Sequence, residues 1–174
     1  SQTGLGHHID FFVFVLLLGL IDLLGQVCPK LVTGFQVKGG QFLTEFGRQN
    51  PTHPHTWDFA DQSLVNSRMF GEDGLRNPGA RIAWLVPTPF YSEVMIAVQN
   101  SHGETASSFR SETEDGLIHG RPVNVGTVRS FNDLLFTPRY ALSLNLSDSQ
   151  TLLAGTSGAF GPNAAGGQTR IYGA

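Results

Sequence analysis

FTPRYALSLNL, residues 136–146, decides the fold: Tyr140, Leu142, Leu144 and Leu146 alternate with Arg139, Ala141, Ser143 and Asn145. Because successive side chains of a strand point to opposite faces, this period of two reads as a β-strand with one apolar and one mixed face. The two faces want different solvents.

Working outward, Ser147, Asp148 and Ser149 supply a turn, a further strand covers residues 151–160, and another begins at Thr169 and runs toward Ala174. On the other side, the strand over residues 90–100 places Ser92, Val94, Ile96 and Val98 opposite Glu93, Met95, Ala97 and Gln99. The strand before it, residues 81–86, shows Ile82, Trp84 and Val86 on one face and ends at Pro87-Thr88-Pro89, where the ladder loses two donors. A first strand covers residues 35–46. There Phe35 and Val37 alternate with Gln36 and Lys38, and after Gly39-Gly40 the pattern passes to Phe42, Thr44 and Phe46, a change of phase that predicts a bulge.

The connections alternate in length. Residues 87–89 and 147–150 are tight, whereas 47–80 and 101–134 are long, and structureless loops beyond about 12–15 residues are uncommon in compact soluble domains. Outer-membrane barrels have this asymmetry, with short turns at one end, long loops at the other, and strands that alternate apolar-out and polar-in. Trp84, Phe90, Tyr91, Phe136, Tyr140 and Phe160 near strand ends suit interfacial girdles. A soluble β-sandwich also alternates, so periodicity alone leaves both architectures open.

Composition leans the same way. The 174 residues include 21 Gly, 13 Phe and only 14% charged residues, against about 25% in an ordinary soluble domain. A net charge of -3 without clustered Lys or Arg gives no footprint for nucleic acid. The lone Cys28 excludes an intrachain disulfide framework. Residues 1–30 form a separate apolar segment, IDFFVFVLLLGLIDLL at its centre, interrupted by Asp10 and Asp22. It is short for a transmembrane helix and lacks a basic leader, so an export signal and a buried or lipid-facing element, helical in form, stay open.

Chemistry-bearing residues are densest in GRQNPTHPHTWDF, residues 47–59. His53 and His55 flank Pro54 with Asp58 close by, and imidazole nitrogen with carboxylate oxygen is a ligand set for zinc. The competing reading is a packed loop anchored by Trp57 and Phe59. FGEDGLRNPGA, residues 70–80, lacks the lysine of a phosphate loop, and its glycines suit positive-φ turns. Glu72, Asp73, Glu112, Glu114 and Asp115 lack calcium-loop spacing and read as solvated loop charge. No Gly-x-Ser-x-Gly elbow or His-Glu-x-x-His helix occurs, so no catalytic residue is assigned and an enzyme is not expected. Arg48, Arg68, Arg76, Arg81 and Arg139 are candidates to line a lumen and favour anions.

The run GGQFLTEFGRQNPTHPHTWDF followed by FGEDGLRNPGARIAWLVPTPFYSEVMIAVQNSHGETASSFRS resembles a group of Gram-negative outer-membrane barrel proteins labelled zinc-regulated or TonB-dependent receptors, themselves similar to porin-like channels. The resemblance covers residues 34–174 and is most specific over 46–111. It implies a transmembrane all-β barrel in the cell outer membrane, with lipid and a small solute or metal ion as partners. It also implies TonB coupling, although no TonB box or plug domain is recognisable here. The expected architecture for residues 31–174 is thus an antiparallel meander forming part of an outer-membrane barrel, since five or six strands fall short of the eight of the smallest closed one. The alternative is an exported soluble β-sandwich acting as a binding module.

Overall fold

The computed structural model describes residues 33–52, 56, 64–71, 73–103, 105–110, 117–118, 121–122 and 128–174. The chain divides into two compact units, Ser1–Phe35 and Gln36–Ala174. Only the second is described at length. The apolar N-terminal segment lies outside the described residues, and no helix among those described is long and apolar enough to cross a membrane.

The second unit is all-β, with an open antiparallel meander of six strands. Its members are β1 (Phe35–Leu43), β2 (Arg76–Leu85), β3 (Tyr91–Asn100), β6 (Leu134–Ser147), β7 (Gln150–Pro162) and β8 (Gln168–Gly173), in the order β1-β2-β3-β6-β7-β8. A two-residue hairpin, β4 (Leu117–Ile118) with β5 (Arg121–Pro122), interrupts the long connection between β3 and β6. Every strand expected from alternation is present. The differences are local: β2 begins at Arg76 rather than Arg81, and the first long connection contains a short helix, α1 (Leu64–Phe70), that alternation could not reveal.

Long and short connections segregate because a meander reverses direction at each strand. The turns after β2 and β6 lie at one end of the sheet, and the connections after β1, β3 and β7 at the other. At the phase change in β1, Gly40 takes a φ of 119°, a conformation that a side chain would strain, and Phe42, Thr44 and Phe46 beyond it are buried. Gly71 and Gly74 also have positive φ, as expected for residues 70–80, whereas Gly79 of the same run lies within β2.

At the long-loop end the connections fold back over one face of the sheet. Phe46, Phe70, Leu75, Ala106 and Phe109 from the connections pack with Leu135, Ala159 and Ile171 from β6, β7 and β8 into one apolar cluster. Phe46 meets Phe70 edge to face at 4.9 Å between centroids. Polar backbone drawn into this cover is satisfied by Asn50: its Nδ2 donates to the carbonyls of Thr44 (2.6 Å) and Leu75 (3.1 Å), and its Oδ1 accepts from the Leu75 N–H (2.9 Å).

Candidate functional site

Register fixes which residues share a face. Across β2, β3 and β6, Ile82 stands beside Ile96 and Pro138, Trp84 beside Val94 and Tyr140, and Val98 beside Phe136. The same face continues on β7 with Phe160, Ala154 and Leu152 and on β8 with Tyr172. Phe160 and Tyr172 pack edge to face at 5.4 Å, and the Phe160 ring covers Gly158, where an added Cβ would lie 2.7 Å from ring atoms. Among the described residues this face is uncovered and largely apolar, with Ser92, Thr156 and Arg170 as polar members.

The opposite face carries Gly79, Arg81 and Ala83 on β2, Glu93, Met95, Ala97 and Gln99 on β3, Thr137, Arg139, Ala141 and Ser143 on β6, and Gly155 and Ser157 on β7. It is mostly small or polar, with Leu85, Met95 and Leu153 as larger apolar members, and the folded-back connections cover its long-loop end. Adjacent residues show the contrast: apolar Ile96 is 41% exposed, while Ala97, on the mixed face, is 2% exposed.

The mixed face holds a charge cluster. Glu45, just beyond β1, faces two guanidinium groups, Arg81 through Oε1 and Arg139 through Oε2 at 3.5 Å, with all three side chains largely buried. Its position is set by its neighbours. The Thr44 N–H donates to the Leu75 carbonyl (2.8 Å), and the Thr44 hydroxyl donates to the Gln99 side chain. Gln99 Nε2 in turn donates to the carbonyls of Phe42 (3.2 Å) and Asn77 (2.8 Å). Two permanent cations share the one Glu45 carboxylate. Nearer the short turns, Tyr91 donates to Glu93 Oε2 (2.6 Å) on the same face.

A second ionic contact closes the other long connection. Arg110 Nη2 donates to Asp133 Oδ1 (2.8 Å), and Asp133 Oδ2 accepts from the backbone N–H groups of Arg129 (3.1 Å) and Ser130 (3.0 Å). The Arg129 N–H foremost, with the Arg110 guanidinium next, lowers the Asp133 carboxyl from 3.8 to about 2. A depressed carboxyl stabilises the fold above its unfolded value and loses that contribution as pH falls through its folded value. The expected result is a stability contribution constant from neutral pH to about 4 and lost between about 4 and about 2, where the Asp133 carboxyl carbon titrates by NMR. A midpoint at 3.8 would show that the contact does not form.

Of the five arginines proposed for a lumen, the structure brings Arg81 and Arg139 together; Arg48, Arg68 and Arg76 are exposed elsewhere. His53, His55 and Asp58 lie outside the described residues, as do Glu72, Glu112, Glu114 and Asp115, while Asp73 is an exposed turn residue. Among the described residues no three His, Cys, Asp or Glu side chains gather to hold a metal. Glu45, Gln99 and Thr137 escaped sequence reading as site residues, although Glu45 stands out as the charge within the run Phe42, Thr44, Phe46.

No protein-family model matches the chain, and no solved structure matches it significantly. The chain is 36% identical over 166 residues to an uncharacterized protein of Aquifex aeolicus (strain VF5), the match taking in 84% of this chain and 32% of that protein. The chain thus spans about a third of the relative's length.

Proposed function

We propose that residues 31–174 form part of the wall of an outer-membrane β-barrel for passage or uptake of a small solute, the apolar face meeting lipid and the mixed face lining the lumen. The contrast between the two faces carries this reading: among the described residues the broad apolar face is uncovered, while connections cover the long-loop end of the mixed face. Burying polar residues beneath loops while leaving isoleucine and leucine in water is costly, whereas a bilayer reverses the sign for the apolar side.

The two longest strands support it, while β8, with six residues, reaches only about 20 Å. β6 has 14 residues and β7 has 13; at about 3.3 Å per residue such strands reach about 45 Å, and tilted by about 40° they still exceed an apolar band about 25 Å tall. Closure needs at least about eight strands, so wall beyond the six of the described residues is needed, from outside those residues or from further copies. The connections over the mixed face would narrow the lumen at the long-loop end.

Fractionation tests the reading against the β-sandwich alternative, in which another sheet would cover the apolar face. A barrel wall stays in the detergent-extracted outer-membrane fraction and shows heat-modifiable migration; release as soluble protein would favour the sandwich. As part of the same proposal, His53, His55 and Asp58 contribute to a zinc site in the first long connection. A zinc titration of the wild type against a double His53→Ala, His55→Ala variant checks this, with at least about tenfold weaker binding expected in the variant and equal affinity removing the idea.

A further inference from the structure

The charge cluster on the mixed face leaves two polar groups without partners. Among the described residues, neither Arg81 Nε nor Thr137 Oγ1 has a hydrogen-bond partner, and both atoms are buried, Thr137 being only 2% exposed. Their placement is related. Arg81, Ala97 and Thr137 stand abreast on neighbouring strands of the same face, and Arg139 follows two residues along β6. Native proteins rarely leave such groups orphaned, and two on one face point to an acceptor that both can use.

Glu45 fits this place incompletely. Its Oε1 meets Arg81 and its Oε2 meets Arg139, yet neither oxygen reaches Arg81 Nε or Thr137 Oγ1. A tetrahedral oxyanion brings further acceptor oxygens, and as a dianion it balances both arginines. Guanidinium forks suit such an anion in geometry as well as charge.

We infer that Arg81, Arg139 and Thr137 form a binding site for a small inorganic oxyanion of the phosphate or sulfate class, in which the Glu45 carboxylate is the resident competitor. The anion displaces Glu45, binds Arg81 through the Nε–H and Nη2 edge that a carboxylate on Nη1 leaves unused, and accepts also from Arg139 and the Thr137 hydroxyl. Glu45 lies just beyond β1, and its side chain can swing aside while the Thr44 to Leu75 hydrogen bond keeps the backbone in place. The site makes the mixed face selective for anions. It is independent of whether the opposite face meets lipid.

Calorimetric titration of the full chain in detergent with sodium phosphate, at constant ionic strength in chloride, tests the site. Removing the competitor with Glu45→Ala is expected to tighten phosphate binding at least about tenfold, since the wild-type site is open only a small fraction of the time. Adding Thr137→Val should reverse a large part of that gain, while Arg48→Gln, an exposed arginine, should change nothing. If Glu45→Ala folds only when phosphate is present, the anion is replacing the carboxylate and the inference stands. Equal affinity in wild type and Glu45→Ala, an unaltered response to Thr137→Val, or a Glu45→Ala chain that fails to fold in phosphate as in chloride would overturn it. The measurement needs no bilayer, so its failure and that of the membrane reading are distinguishable.

Discussion

Replacing Ile96 with arginine is expected to destabilise the protein by about 2–4 kcal/mol in lipid, the cost of a cation facing the middle of a bilayer. Ile96 is the middle of β3, flanked across the sheet by Ile82 and Pro138, and its side chain is on the open apolar face. At an exposed position in water such a change stays within about 0.5 kcal/mol. The size of the effect therefore reports the solvent. Arginine at Ser143, on the mixed face beside Tyr91, should be accepted with a much smaller loss. Urea unfolding of the two variants in phospholipid vesicles measures the difference, and equal midpoints would count against the assignment of faces.

Gly79→Ala is expected to disrupt the sheet itself. An added Cβ would lie 2.2 Å from the Val98 carbonyl oxygen and 2.6 Å from Gln99 Cα, and these are backbone atoms of the neighbouring strand that cannot turn aside. Gly79 pairs with Gln99, whose side chain holds the carbonyls of Phe42 and Asn77, so the strain passes directly to the support of Glu45. Overpacking of this kind costs about 3 kcal/mol, and more where backbone cannot move. Gly39→Ala provides the control, since nothing lies within 4 Å of its added Cβ. Denaturation midpoints of both variants check the expectation; comparable behaviour would mean that Gly79 does not approach β3 so closely.

The strands were legible because alternation is a local signal. Tyr140, Leu142 and Leu144 against Arg139, Ala141 and Ser143 fixed both faces of β6, and the same parity carried across to Val94, Ile96, Ile82 and Trp84. The early start of β2 was hidden by Pro78 and Gly79, which read as turn residues. α1 has only seven residues and exposes Leu64 and Val65, so it offers little helical periodicity to detect. The charge cluster was half legible. Arg81 and Arg139 fall on the mixed faces of their strands, but their convergence on Glu45 depends on the chain after β1 folding across the sheet, a non-local event. Thr137 gave no signal, since an unsatisfied hydroxyl exists only in three dimensions.

The apolar face can be interrogated through Trp84, which stands on it beside Val94 and Tyr140. With Trp57→Phe leaving Trp84 as the sole indole, fluorescence of the chain in phosphatidylcholine vesicles would be measured with brominated lipid and, separately, with aqueous iodide. Strong quenching by the brominated chains with little effect of iodide is the expected result. Quenching by iodide alone would contradict a lipid-facing wall.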